Sequence, residues 1–266
     1  MQMPQLGLGT FRLKQQQAID SVTTGLELGY RHIDTAQIYG NEADVGQAIA
    51  TGGVPRGELF VTTKIWMANL GRDALHASLE TSREKLGLDR LDLTLIHWPA
   101  PDDGVPLAES MEALAKAQAD GLTRQIGVSN FTIGHLKQAI DVVGAAAIAT
   151  NQIEMHPFMQ NRKVTDFMRE HGLHATAYMP LAYGKALEDA TLQRIGRAHG
   201  VSAAQVTLAW LLQQGIAVIP SSTKRANLAS NLTAAQLTLT DTEMAEIAAL
   251  DRGERLVSPD FAPKWD

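Results

Sequence analysis

Four residues of the 266-residue chain have the chemistry to work on a carbonyl group: Asp34, Tyr39, Lys64 and His97. A phenol has an ordinary pKa near 10, too high to release a proton readily at neutrality, and a neighbouring ammonium favours the phenolate and lowers that value. Lys64 can be that neighbour for Tyr39. A buried lysine needs a counter-charge, and Asp34 is the available one. A Tyr–Lys–Asp chain results, with the imidazole of His97 able to hydrogen-bond a carbonyl oxygen from the other side. A second use of the same residues is open at this point, a Schiff base formed by Lys64 as in an aldolase.

These residues converge only if the elements that carry them do. Eight short apolar runs read as strands: Gln5–Leu8, His32–Ile33, Leu59–Thr63, Asp92–Ile96, Gln125–Val128, Ala149–Ile153, His174–Ala177 and Ile216–Ile219. Thr10, Asp34, Lys64, His97, Ser129, Gln152, Tyr178 and Ser221 sit at or just after their ends. Between them, Ala18–Leu28, Glu42–Ala50, Arg72–Leu86, Leu107–Asp120, Ile133–Val143, Arg162–His171 and Ala204–Gln214 place apolar residues at helical spacing. Glycines such as Gly29 and Gly87 follow these stretches, where a left-handed terminal residue costs glycine least. Strand–helix alternation of this kind predicts a single-domain (β/α)8 barrel over residues 1–266, with all eight strand ends on the face where such barrels build their sites.

Two additions to the eightfold pattern are expected. A short helix over Ala190–His199 enlarges the last crossover, and a helix over Asp241–Leu250 begins after a Thr-Asp cap. The tail Asp251–Asp266, rich in Pro, Asp and aromatic residues, reads as a loop reaching toward the top of the barrel.

Composition narrows the function classes. With 29 Asp and Glu against 23 Lys and Arg the formal charge is −6, which opposes nonspecific attraction to nucleic acid or anionic lipid. There is no cysteine, which excludes disulfides and thiolate zinc sites. No helical His pair suggests another metal. No apolar run approaches the ~20 residues needed to span a bilayer, so a cytoplasmic protein is the default expectation. Gly7-Leu8-Gly9 lacks the third glycine and the following helix of a dinucleotide fingerprint and reads as a tight turn after strand one.

Longer segments carry a resemblance. Gly29-Tyr30-Arg31-His32-Ile33-Asp34-Thr35-Ala36-Gln37-Ile38-Tyr39-Gly40-Asn41-Glu42, Leu95-Ile96-His97-Trp98-Pro99, Gly127-Val128-Ser129-Asn130-Phe131 and Asn151-Gln152-Ile153-Glu154 resemble, in order and spacing, the diagnostic segments of the aldo-keto reductases. The resemblance implies reduction of aldehydes and ketones by NADPH, with Tyr39 as general acid, Asp34 and Lys64 tuning it, and His97 orienting the carbonyl. It implies NADPH on the barrel rim, and with it the alternative of a noncatalytic nicotinamide-binding barrel. Ser129, Asn130 and Gln152 would meet the nicotinamide carboxamide, and the Tyr178 ring would stack beneath it with Leu181 nearby. Ser221, Ser222, Thr223, Lys224, Asn227 and Asn231 would take the phosphate and adenosine end, helped by Arg225. Many relatives have Lys where this chain has Ser221 and Arg where it has Asn227. Phe11, Trp66 and Trp98 would wall the substrate site beside His97. Small carbonyls such as methylglyoxal and keto-sugar acids such as 2,5-diketo-D-gluconate are the expected substrates, the tail being short and polar. A monomer is expected, as for most relatives.

Overall fold

Eight parallel strands in the order β1 to β8 form one sheet in the computed structural model, which describes residues 2–101 and 104–266. They are β1 (Leu8–Gly9), β2 (His32–Asp34), β3 (Phe60–Ile65), β4 (Leu91–Ile96), β5 (Thr123–Ser129), β6 (Ile148–Glu154), β7 (His174–Tyr178) and β8 (Ala217–Val218). The sheet closes on itself: Leu6 bridges Val218 in parallel, Gly7 N donates to Val218 O at 2.8 Å, and Gly9 N donates to Pro220 O at 3.1 Å. The expected (β/α)8 barrel is thereby present.

Helices α1 (Gln16–Leu28), α2 (Glu42–Thr51), α3 (Arg72–Leu86), α4 (Leu107–Ala119), α5 (Ile133–Val143) and α6 (Arg162–Glu170) link successive strands. The last crossover holds α7 (Lys185–Glu188), α8 (Ala190–His199) and α9 (Ala203–Gln213). Beyond β8 come α10 (Arg225–Thr233), which the apolar pattern does not reveal, and α11 (Asp241–Ala248). The expected cap of α11 is present as a reciprocal pair: Thr240 accepts from Glu243 N, and the Glu243 side chain accepts from Thr240 N.

Both faces of the central strands are covered. All six residues of β3 and all six of β4 are buried, as a sheet between helices and a filled interior requires. The two-residue period separates their roles. Val61 and Ile65 join the large core shared with the helices, whereas Phe60, Leu93 and Leu95 form a separate small cluster. Continuing up the second face, Thr62 and Lys64 follow Phe60, and His97 follows Leu95. On β2, His32 and Asp34 share that face, and His32 Nε2 lies 3.1 Å from Thr62 Oγ1. The register that fills the barrel bottom with carbon brings Asp34, Lys64 and His97 to its upper end.

The glycine-rich start has a different role from the expected turn. Leu8 and Gly9 are the first strand itself. A Cβ on Gly9 would stand 2.6 Å from the Ile219 carbonyl oxygen, and one on Gly7 would stand 2.7 Å from the His32 ring. Glycine is needed there so that β1 can lie against β8 and the barrel can close.

A similar contact joins α2 to α3, where a Cβ on Gly46 would lie 2.6 Å from Lys85 O and 2.8 Å from Leu86 backbone carbon. Backbone cannot rotate away as a side chain can. Gly46→Ala is expected to lower unfolding free energy by about 1–3 kcal/mol, measured by urea denaturation. A variant as stable as the parent would show that the two helices can separate without cost.

Candidate active site

Lys64 is fully buried and its ammonium is bonded on three sides. It donates to Asp34 Oδ1 in a short ion pair, to the Thr35 carbonyl oxygen at 2.9 Å, and to the Tyr39 hydroxyl at 3.3 Å. The second Asp34 oxygen accepts from Gln152 Nε2 at 2.8 Å, so residues from β2, β3 and β6 are tied together across the barrel mouth.

Tyr39 closes a short 3-10 turn, Gln37–Tyr39, just above β2. That turn is fixed by buried Asn41, which donates to the carbonyls of Thr10 at 2.9 Å and Leu13 at 2.8 Å and accepts from Thr35 Oγ1 at 2.8 Å. Gln37 fixes its neighbour on the other side: its Oε1 accepts from Trp66 N at 2.9 Å while its Nε2 reaches Ser82 Oγ on α3 at 3.1 Å.

Electrostatics assign protonation states. Burial pushes the Tyr39 phenol above its ordinary value; Lys64 pulls against that and Asp34 adds to it. The sequence expectation that Lys64 lowers the phenol therefore holds for the lysine's own effect but is outweighed by desolvation. Burial works to neutralise Lys64, but the charges of Asp34 and Tyr39 overcome it and leave the ammonium above its usual pKa. His97 is held well below its ordinary value, first by burial and then by Lys64, so its ring is neutral at neutral pH. Its Nδ1 is buried without a partner among the described residues. The His97 and Tyr39 rings meet edge to face with centroids 5.7 Å apart.

The aromatic wall is larger than the sequence suggests. Phe11 packs on Tyr39 at 5.1 Å and Trp66 on His97 at 5.5 Å. Trp98 is buried rather than open, because the tail covers it: Phe261 lies 5.4 Å from Trp98 and 5.7 Å from Trp66, and Trp265 lies 6.0 Å from Trp98. The tail does reach the top of the barrel, but it delivers two aromatic rings there and is not merely polar. The only signal for them was the Phe-Ala-Pro-Lys-Trp composition near its end.

Ser129, Asn130, Gln152 and Tyr178 do converge. Ser129 Oγ donates to Gln152 O at 2.8 Å, Asn130 Nδ2 donates to His97 O at 3.0 Å and to Ser129 Oγ at 3.2 Å, and the Tyr178 hydroxyl donates to Asn130 Oδ1 at 2.7 Å. Burial, then Glu154, raises the Tyr178 phenol well above its ordinary range, so it stays a donor. Both Asn130 amide hydrogens are thus spent inside the protein. Gln152 retains its carbonyl oxygen and one amide hydrogen, an acceptor and a donor side by side, which suits a carboxamide presenting one of each. Leu181 is half-buried against the core in the loop after β7.

The segment after β8 lies at the start of α10. Ser221, Thr223, Lys224 and Asn227 are exposed and Ser222 half-buried, with its carbonyl oxygen accepting from Ser21 Oγ at 2.7 Å. Lys224 is the capping residue of α10 and its side chain makes no ion pair among the described residues. Arg225 differs: its guanidinium is paired with Glu27 at 2.6 Å. Asn231 is buried close to the hydroxyl of Tyr30, which donates to Leu228 O at 3.0 Å. No group of three or more His, Asp or Glu among the described residues is placed to hold a metal ion. No helix there is long and apolar enough to cross a membrane.

The aldo/keto reductase family model matches residues 5–252. Among curated relatives, methylglyoxal reductase DkgB of Yersinia pestis is 61% identical over 100% of both chains, and that of Escherichia coli O157:H7 is 58% identical over 100% of both. Among solved structures, a proposed 2,5-diketo-D-gluconic acid reductase B superposes with TM-score 0.95 at 42% identity, covering 99% of this chain and 94% of that one. The aldose reductase from Schistosoma japonicum gives 0.93 at 29% identity, covering 98% and 94%. The chain belongs to the aldo/keto reductase family and is an oxidoreductase acting on carbonyl groups.

Proposed function

We propose that the protein reduces small aldehydes and dicarbonyls, methylglyoxal first among them, to alcohols with NADPH, using Tyr39 as the proton donor. The observation that carries this reading is the Tyr39–Lys64–Asp34 chain with a neutral His97 ring against Tyr39. When bound, a dihydronicotinamide would supply the hydride that the carbonyl carbon needs. Everything else falls to the protein. Burial keeps the Tyr39 hydroxyl protonated at neutral pH, so it has a proton to give to the carbonyl oxygen. Lys64, charged because of Asp34, stabilises the phenolate that remains until solvent returns the proton. His97 as neutral imidazole can donate one hydrogen bond to the carbonyl oxygen and hold it beside Tyr39. The rings of Phe11, Trp66 and Phe261 exclude water from the reacting centre. The same ion pair counts against a Schiff base at Lys64, since a nucleophilic amine must be neutral.

Supporting the cofactor reading, Gln152 offers its remaining amide valences to the carboxamide, with the Tyr178 ring alongside. Lys224, with Ser222 and Thr223 beside it, would face the 2′-phosphate. Arg225 contributes less than the sequence implies, because Glu27 holds it. The methylglyoxal assignment draws on the relatives' printed activity, and keto-sugar acids follow from the diketogluconate reductase neighbour.

Three outcomes check this. Tyr39→Phe should lower kcat for methylglyoxal by about 10²–10⁴-fold with the NADPH Kd changed little; retention of most of the kcat would remove Tyr39 as the acid. For Lys64→Met the sign is as follows: the ammonium lowers the phenol, so its loss raises the Tyr39 pKa further. Turnover at neutral pH should drop by a comparable factor, and the alkaline fall in kcat, where Tyr39 loses its proton, should move to higher pH. A normal rate would exclude the lysine from the proton transfer. For the phosphate end, Lys224→Ala should weaken NADPH about tenfold and leave NADH nearly unchanged, while Ser221→Lys should tighten NADPH. Fluorescence titration of both cofactors reads this directly, and an unchanged NADPH to NADH ratio in Lys224→Ala would place the phosphate elsewhere.

A further inference from the structure

The segment Asp251–Asp266 has no helix or strand; its start is bonded to the loop after β6, where Arg252 N and Glu254 N donate to Phe158 O at 3.3 and 2.9 Å, and beyond Glu254 it is held at two separated points by carboxylates accepting from backbone N–H groups. The first is Glu154, at the end of β6 and completely buried. Its Oε1 accepts from Leu256 N at 2.7 Å and lies 2.9 Å from His156 Nε2, and its Oε2 accepts from Val257 N at 2.8 Å. Two of its three partners are thus amides of the tail itself. The second is Asp266, whose Oδ2 accepts from Ile133 N in the first turn of α5 at 3.0 Å. Between these points lie Phe261 and Trp265, the rings packed on Trp66 and Trp98.

A side-chain relay stiffens the first point. Asn161 Nδ2 donates to Glu154 O at 2.6 Å, Arg255 Nη2 donates to Asn161 Oδ1 at 2.8 Å, and the Arg255 guanidinium lies 3.7 Å from the Trp265 ring centroid. A carboxylate taken fully out of water is costly unless its lone pairs are met, and the tail supplies the amides that meet them. The dependence is mutual: with Phe158 O holding the backbone as far as Glu254, the next fixed backbone groups of the tail, Leu256 N and Val257 N, are those bonded to Glu154.

We propose that Glu154 is a positioning residue for substrate selection: with Asp266 it pins the tail as a strap across the ends of β3 to β6, and so fixes Phe261 and Trp265 as the outer wall of the carbonyl site. Glu154 touches neither the reacting atoms nor the Asp34–Lys64 pair. It acts through the strap. The kinetic consequence rests on the carbonyl-reductase reading above and falls on the binding of the carbonyl substrate; proton donation by Tyr39 is not involved.

The test compares Glu154→Gln, Asp266→Asn, Phe261→Ala and the double variant Glu154→Gln/Phe261→Ala, using methylglyoxal with NADPH and, separately, trypsin. Glu154→Gln should raise the KM for methylglyoxal about tenfold, with kcat within about twofold and NADPH Kd unchanged. Phe261→Ala should raise KM as well, and the double variant should raise it no further than the larger single change, because a released strap no longer presents the ring. Trypsin should cut after Arg255 and Lys264 faster in both pin variants. Additive effects in the double variant, or an unchanged KM in both Glu154→Gln and Asp266→Asn, would overturn the proposal. Asp266 is exposed, so Asp266→Asn provides the same test if Glu154→Gln does not fold. A parent protein that reduces no carbonyl would sink the functional reading alone; the trypsin comparison then decides the strap, with unchanged cleavage in both pin variants overturning it.

Discussion

The buried ion pair between Lys64 and Asp34 is the interaction on which the site depends. Removing both charges from water costs several kcal/mol per ion, and the attraction between them repays this only when the remaining hydrogen-bonding capacity is also met. Here it is. Lys64 spends its three hydrogens on Asp34, the Thr35 carbonyl and Tyr39, and Asp34 turns its other oxygen to Gln152. Since those groups come from three different strands and one rim turn, satisfying the pair fixes how the strand ends stand relative to one another. The barrel provides a rigid frame for the pair, and the pair requires that frame to be accurate.

The same arrangement answers a conflict within acid catalysis. A phenol near a cation is a better acid but is also more easily lost as phenolate before it is needed. In the proposed role of Tyr39 as proton donor, burial opposes the cation and keeps the phenol proton in place, while the ammonium is positioned to stabilise the charge left when the proton is given up. His97 is treated in the opposite sense. Desolvation and Lys64 both disfavour its cation, so the site holds one permanent positive charge beside Tyr39 rather than two competing ones.

Much of this was legible in the sequence because it follows from strand periodicity. Asp34, Lys64 and His97 sit at strand ends, and a period of two places them on the face shared by His32, Thr62 and Leu95. Tyr39 lies a turn beyond Asp34. What was not legible depends on pairings with no local signature. Arg225 looks like a free cation until Glu27, 198 residues away, is seen holding it. Helix α10 lacks a clear apolar stripe, so it reads as loop. Phe261 and Trp265 belong to a segment without periodicity, whose position is set by Glu154 from 102 residues away.

These distant pairings fall into a pattern that explains how one barrel divides its tasks. Asp34, Lys64 and Gln152 stand on strands and are locked by buried bonds, whereas the rings and cations assigned to substrate and cofactor choice in the proposed function stand on the loops after β1, β3, β4 and β8 and on the tail after α11. The acidic chain makes the second task local. With a formal charge of −6, the protein as a whole does not attract an anionic cofactor, and screening confines any one cation to about 8–10 Å in ordinary salt. Attraction to a phosphate therefore has to come from a cation placed beside it and left unpaired. For the proposed phosphate site, Lys224, at the start of α10 and without an ion-pair partner among the described residues, meets that condition. Charge at the proposed site is thus governed by which neighbouring carboxylates pair with Arg225 and not with Lys224 as much as by which basic residues are present.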